Sequence, residues 1–154
     1  MEKVLFGVAK QWIAGDTIDD ALRVARASYK AGMNVIINRL GEHHTSRQLI
    51  KKTMSEYQQV MSSFKKWNIQ GGISVKPTQV GILRSKKECH RNLELLINVA
   101  QSAQTFVWLD MESSDHTDET IGIYENLFTR YERLGIALQA NLVRTENDLA
   151  DLIT

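Results

Sequence analysis

Lys76, Asp110 and Gln139 are the side chains of this chain best placed to do chemistry. Each falls inside or at the end of a short apolar run, in GGISVK (71–76), FVWLD (106–110) and IALQAN (136–141). A charge or amide in such a place needs a partner or a task. If 71–75 and 106–110 are neighbouring strands, their ends lie about 5 Å apart, so Lys76 and Asp110 are within reach of an ion pair. Three readings are open. The pair is a structural salt bridge at a rim; or Lys76 holds an anionic group of a substrate while Asp110 orients it or balances its charge; or Lys76 is a Schiff-base nucleophile. The third needs a readily deprotonated amine, and a neighbouring carboxylate favours the protonated form.

The elements that must position these residues follow from periodicity. Four apolar runs, 33–40, 71–75, 106–110 and 136–141, have the length and composition of strands buried on both faces. Between them lie helical patterns over 46–67, 86–102 and 117–133, and a shorter one over 145–153 follows the last strand. Thr17, followed by Asp19 and Asp20, opens an earlier helix that ends near Gly32. Strands that alternate with helices and lack hairpin turns predict βαβ units and a parallel sheet. The expectation is therefore an α/β fold in one domain over 1–154, with one helix and then four (βα) units. In such folds chemistry collects at the C-terminal strand ends. Here those ends also carry Glu42, His43, His44, Gln79, Glu112, His116 and Arg144. Adjacent His43 and His44 point to opposite sides of an extended segment, and no HxH or HExxH spacing occurs, so no metal site is assigned. Gly71-Gly72 precedes its strand, and no GxGxxG or GxxxxGK[ST] loop is present.

Composition narrows the partners. The 19 Lys+Arg and 18 Asp+Glu leave a formal charge of +1, which provides no footprint for nucleic acid. Trp12, Trp67 and Trp108 are scattered and lack basic interleaving, so they read as packing residues. A single cysteine, Cys89, excludes an internal disulfide framework and fits a reducing compartment. It lies in the polar stretch KKECHRN with no acid or base arranged around it, which favours a structural role. The opening MEKVLFGVAKQWIAG does not have the order of a signal peptide, and no later run approaches the length of a membrane span. The expectation is a cytoplasmic protein.

Taken in order, AGDTIDDAL, RLGEH, SVKPTQVG, LDMESS followed by TD, and LQANLVRTENDL resemble the monofunctional bacterial proline dehydrogenases. These are FAD-dependent flavoproteins whose catalytic domain is a distorted (βα)8 barrel of the TIM type. The resemblance implies that Lys76 contacts the carboxylate of L-proline. It implies that Asp110 is an active-site aspartate near the flavin ring, that Met111 contacts FAD, and that Gln139 hydrogen-bonds the flavin. The implied reaction is oxidation of L-proline to pyrroline-5-carboxylate, with hydride passing to FAD and electrons on to a quinone. A quinone acceptor adds a peripheral position at the inner face of the membrane. Asn38 stands where the family has an acid, and Asn141 where it has a tyrosine.

The resemblance also implies strands five to eight and a last helix with paired arginines, which these 154 residues do not contain. Four (βα) units leave two sheet edges open. The expectation is half of a barrel and half of the site. It would be completed by a continuation of the polypeptide, by a complementary half-barrel chain, or by self-association into a homo-oligomer. A symmetric pair would supply two Lys76 and two Asp110 without the arginines, so a non-catalytic half-barrel is the alternative reading.

Overall fold

The computed structural model describes residues 13–153. The reading of the opening run as no signal peptide falls mainly on residues 1–12 and lies outside them. Helix α1 spans Ile18–Lys30. Its N-cap Thr17 accepts a hydrogen bond from the Asp20 amide, and Asp19 and Asp20 face the positive end of the helix dipole. The chain then alternates through β1 (Val35–Asn38), α2 (Arg47–Trp67), β2 (Gly71–Val75), α3 (Lys86–Ala103), β3 (Phe106–Asp110), α4 (Thr117–Phe128), β4 (Leu134–Ala137) and α5 (Thr145–Leu152). Short 3-10 turns at Pro77–Gln79 and Ser114–His116 follow β2 and β3. The strands form one parallel sheet in the order β1-β2-β3-β4. This is the α/β architecture of four (βα) units preceded by a helix that the sequence pattern predicts.

Register divides the sheet into two unlike faces. Val35, Ile37, Ile73, Val75, Val107, Leu109, Leu134 and Ile136 share one face across the paired strands. Helices α2, α3 and α4 cover it with Met61, Phe64, Leu93, Leu96, Ile97 and Leu127, and Ile73, Val75 and Val107 have no exposed surface at all. The other face carries Ile36, Asn38, Gly72, Ser74, Phe106, Trp108, Gly135 and Ala137. It is the more open of the two: Ile36 is 56% exposed, and Asn38 and Ala137 are exposed as well. Phe106 and Trp108 lie side by side there, with ring centroids 4.8 Å apart. A parallel sheet normally has both faces covered, and this one has a single covered face.

The glycine pair at the start of β2 has a steric cause. A Cβ on Gly71 would fall 1.9 Å from the Val35 carbonyl oxygen, and one on Gly72 would fall 2.1 Å from that of Phe106. Both neighbouring strands therefore close onto β2 where it has no side chains.

The fourth strand differs from the pattern's 136–141. It begins at Leu134 and ends at Ala137. Gly135, which resembles a turn residue, lies in the strand because the Trp108 ring packs over it, with Cζ3 2.6 Å from where a Cβ would stand. Beyond Ala137 the chain turns, and the Leu142 amide donates to the Gln139 carbonyl at 3.2 Å. Gln139 therefore follows β4 instead of lying within it. Strand β1 is likewise shorter than the apolar run 33–40, since the backbone at Arg39 already bonds to side chains.

Candidate functional site

The C-terminal ends of β1, β2 and β3 converge on Lys76. It directly follows β2, and on the alternation of that strand it emerges on the open face, as Asp110 does at the end of β3. Lys76 Nζ stands 3.7 Å from Asp110 Oδ2 and 3.8 Å from Glu42 Oε2, with the lysine side chain 25% exposed. Both distances fall within an ion pair and beyond a hydrogen bond. The ammonium has three donors, and neither carboxylate saturates one. One positive charge beside two negative ones leaves the cluster with an excess of one negative charge.

A buried polar framework holds these ends together. Gln79 is fully buried, and its Nε2 donates to the carbonyls of Arg39 and Gly41, both at 2.6 Å. Its Oε1 accepts from Tyr57 Oη at 2.8 Å and from the Lys76 amide at 3.3 Å. The single Tyr57 hydroxyl proton is shared with the Ser74 carbonyl, also at 2.8 Å, and the hydroxyl oxygen accepts from the Arg39 amide at 3.3 Å. Burial pushes the Tyr57 phenol well above its ordinary value, so it stays a neutral donor. Thr78, 1% exposed, donates from its amide to Glu112 Oε2 at 2.8 Å and from its hydroxyl to Glu112 Oε1 at 2.6 Å. The loop after β1 is tied to the same residue, because the His43 amide donates to Thr78 Oγ1 at 3.0 Å and the His44 amide to the Thr78 carbonyl at 2.9 Å. The 3-10 turn behind Lys76, closed by Gln79 N to Lys76 O at 2.9 Å, begins with the chain's single proline.

The other polar residues of the strand ends separate by environment. His44 is buried against Thr53 Oγ1, 3.3 Å from Nδ1, whereas His43 is exposed with φ 60. Burial, and then the Arg39 charge, lower the His44 value. Arg39 pairs with Glu56 at 2.5 Å, and Arg144 with Asp118 at 2.6 Å and Asp148 at 2.7 Å. Among the described residues, no three His, Cys, Asp or Glu side chains come together as a metal set. Cys89 has no exposed surface; burial pushes its thiol up to about 12, and its Sγ contacts the Pro77 carbonyl at 3.9 Å.

The structure therefore joins Lys76 to Asp110 and adds Glu42 to them. Met111 and Gln139 occupy neighbouring positions without joining that cluster. The Met111 side chain is buried, and its amide bonds the Ala137 carbonyl at 3.0 Å. Gln139 is half-buried, and its carbonyl accepts from Thr145 Oγ1 at 2.5 Å. The sequence pattern places Tyr57 on the apolar face of α2, where its hydroxyl was the overlooked signal, since a buried phenol has to find a partner. Thr78 carried no comparable signal. Asn38 and Asn141, the two departures from the family's pattern, are both exposed.

A family model described as Proline dehydrogenase matches residues 21–154. Proline dehydrogenase 1 of Bacillus subtilis (strain 168) is 27% identical over 141 residues, covering 92% of this chain and 47% of that protein. Proline dehydrogenase of Deinococcus radiodurans is 25% identical over 155 residues, covering 96% and 49% respectively. The chain thus spans about half the length of the curated relatives it matches. A crystal structure of proline utilization A from Bdellovibrio bacteriovorus, inactivated by N-propargylglycine, aligns with a TM-score of 0.85 at 23% identity. That alignment covers 98% of this chain and 19% of that one, and it shows a shared fold.

Proposed function

Because the chain belongs to the proline dehydrogenase family, we propose that the open-face ends of β1 to β4 form the N-terminal half of a site for flavin-dependent oxidation of L-proline. The observation that carries this reading is the Lys76 ammonium, held between two carboxylates without a hydrogen bond to either. Lys76 would bind the carboxylate of L-proline. Asp110, on the same face, would orient the ring nitrogen side of the substrate and offset the lysine charge. Holding the substrate at a fixed angle is the protein's share of such a reaction.

The strand ends fit the ring portion of an FAD. Asp110 and the Gln139 amide offer acceptors and donors at adjacent strand ends, and a contact from Met111 would come through its backbone, since its side chain is buried. The strand-end cations Arg39 and Arg144 are already tied to carboxylates, so the FAD diphosphate would take its cations from elsewhere. When bound, FAD would supply the hydride acceptor, and a quinone would take the electrons onward. No helix among the described residues is long and apolar enough to cross a membrane; a cytoplasmic enzyme placed at the inner membrane face to meet quinone agrees with that.

Charge and shape both point to a complement. A substrate carboxylate added to a cluster with one excess negative charge needs further cations. The uncovered face with Ile36, Phe106 and Trp108 needs apolar cover. A second (βα)4 half, from the same polypeptide or another chain, would bring both. The second reading is a non-catalytic half-barrel that closes on itself through the β1 and β4 edges. The open apolar face favours it, and the doubled excess of carboxylates opposes it.

A titration of the purified chain with carboxyl-labelled L-proline in the presence of FAD, read by NMR, tests the proposal. Lys76→Met should weaken binding by roughly tenfold or more, the value of one charge-assisted contact. Equal binding by both proteins would overturn the assignment of Lys76.

A further inference from the structure

We propose that Glu112 is a positioning residue, which with Thr78 forms a two-bond clamp setting the spacing between Lys76 and Asp110. The inference rests on the reading of Lys76 as a ligand for a carboxylate, and it concerns how that lysine is kept in place.

Lys76 and Asp110 follow Val75 and Leu109, which are register partners. The β2–β3 ladder ends at that level, and although Asp110 still pairs with Ala137 of β4, no strand pairing joins Lys76 to Asp110. Two residues further along each branch stand Thr78 and Glu112. Their paired hydrogen bonds, 2.8 Å from the amide and 2.6 Å from the hydroxyl, bridge the gap that the ladder leaves. Each branch is short and stiff. Pro77 and the 3-10 turn fix the first, and the bond from the Met111 amide to the Ala137 carbonyl fixes the second.

The chemistry of Glu112 is more than packing requires. It is 8% exposed and ionisable, and it takes part in none of the ion pairs among the described residues. Burying a carboxylate without a cation is costly unless its oxygens are hydrogen-bonded. Both oxygens of Glu112 are spent on one residue, Thr78. That same threonine receives the amides of His43 and His44, so the clamp also fixes the loop that carries Glu42. The three charged groups are thus referenced to a single buried threonine.

The test compares wild type with Glu112→Ala, Glu112→Gln and a core control, Ile97→Val. Hydrogen exchange over residues 76–80 and the rate of acylation of Lys76 are both read by peptide mass spectrometry. Loss of the clamp in Glu112→Ala should speed exchange over that segment by at least about tenfold. It should also change acylation at Lys76 by several-fold while the other lysines stay as they are. Glu112→Gln can still accept from the Thr78 amide, and the threonine hydroxyl can rotate to accept from the new amide, so it should restore both readouts. Thr78→Val, which keeps the amide bond to Glu112 and loses both the hydroxyl bond and the acceptor of the His43 amide, should change both readouts in the same direction, and it serves if Glu112→Ala does not fold. Unchanged Lys76 reactivity in both Glu112→Ala and Thr78→Val overturns the proposal. So does an equal change in Ile97→Val, or failure of Glu112→Gln to restore. An L-proline titration separates the two layers: if wild type binds no L-proline yet the variants alter Lys76, the substrate reading falls and the clamp stands.

Discussion

At the scale of single residues, the candidate site is a lysine charge between two carboxylates, carried on strand ends that a buried polar framework ties together. Lys76 and Asp110 were legible in the sequence, since a charge ending an apolar run stands out. Glu42 was visible only as one polar loop residue among many, because its place beside Lys76 depends on how Gln79 and Thr78 fold the loop after β1. Gln79 also reads as an ordinary strand-end polar residue, yet it is fully buried with both ends of its amide engaged. Gln79→Ala should leave the Arg39 and Gly41 carbonyls without their partner and lower stability by roughly 2 kcal/mol or more, as measured by urea unfolding. His44 makes stability depend on pH. Burial and Arg39 hold its value below the ordinary 6.5, so on acidification the unfolded chain takes up that proton first. The stabilisation is complete above about 6.5 and is lost as pH falls through the folded value. The melting temperature of wild type should therefore drop more steeply below that pH than the melting temperature of His44→Gln.

At the scale of elements, strand and helix order was readable because periodicity reports burial, and a parallel sheet buries its strands in continuous apolar runs. Boundaries were less readable where a residue's role depends on a neighbour in space. Gly135 belongs to β4 because Trp108 needs its empty position, and nothing local to 133–137 reports that ring. Gln139 falls past the end of β4, in the turn before α5, where its carbonyl accepts from Thr145 Oγ1. Gly71 and Gly72 illustrate the reverse case, in which a pair resembling a loop signal lets two strands approach β2. Gly72→Ala would place its Cβ 2.1 Å from the Phe106 carbonyl oxygen. Backbone cannot yield as a flexible side chain can, so the β2–β3 pairing should loosen at a cost of about 3 kcal/mol, as read by chemical denaturation. Unchanged stability would show that the strands have room to part.

At the scale of the molecule, one sheet face is packed and the other is open, and the site lies at the top of the open one. Four strands that carry the Lys76–Asp110 cluster at their ends and leave Ile36 exposed beside the half-buried Phe106 and Trp108 on their inner face form half of a barrel. Its order was legible in the sequence, while the imbalance of charge at Lys76 emerged only from side-chain geometry. If the open face is where a closing half docks, Ile36→Lys should block association while leaving the melting temperature of the isolated chain within a few degrees, a surface-scale change. Sedimentation of both proteins checks this, and association unaffected by the lysine would place the contact elsewhere. The most direct measurement is proline-dependent reduction of FAD by the chain in the assembly in which it is naturally made, with wild type compared to Lys76→Met. Reduction should be slowed by about ten- to a hundredfold when the carboxylate contact is lost. An undiminished rate in Lys76→Met would contradict the placement of L-proline at the open-face ends of this sheet.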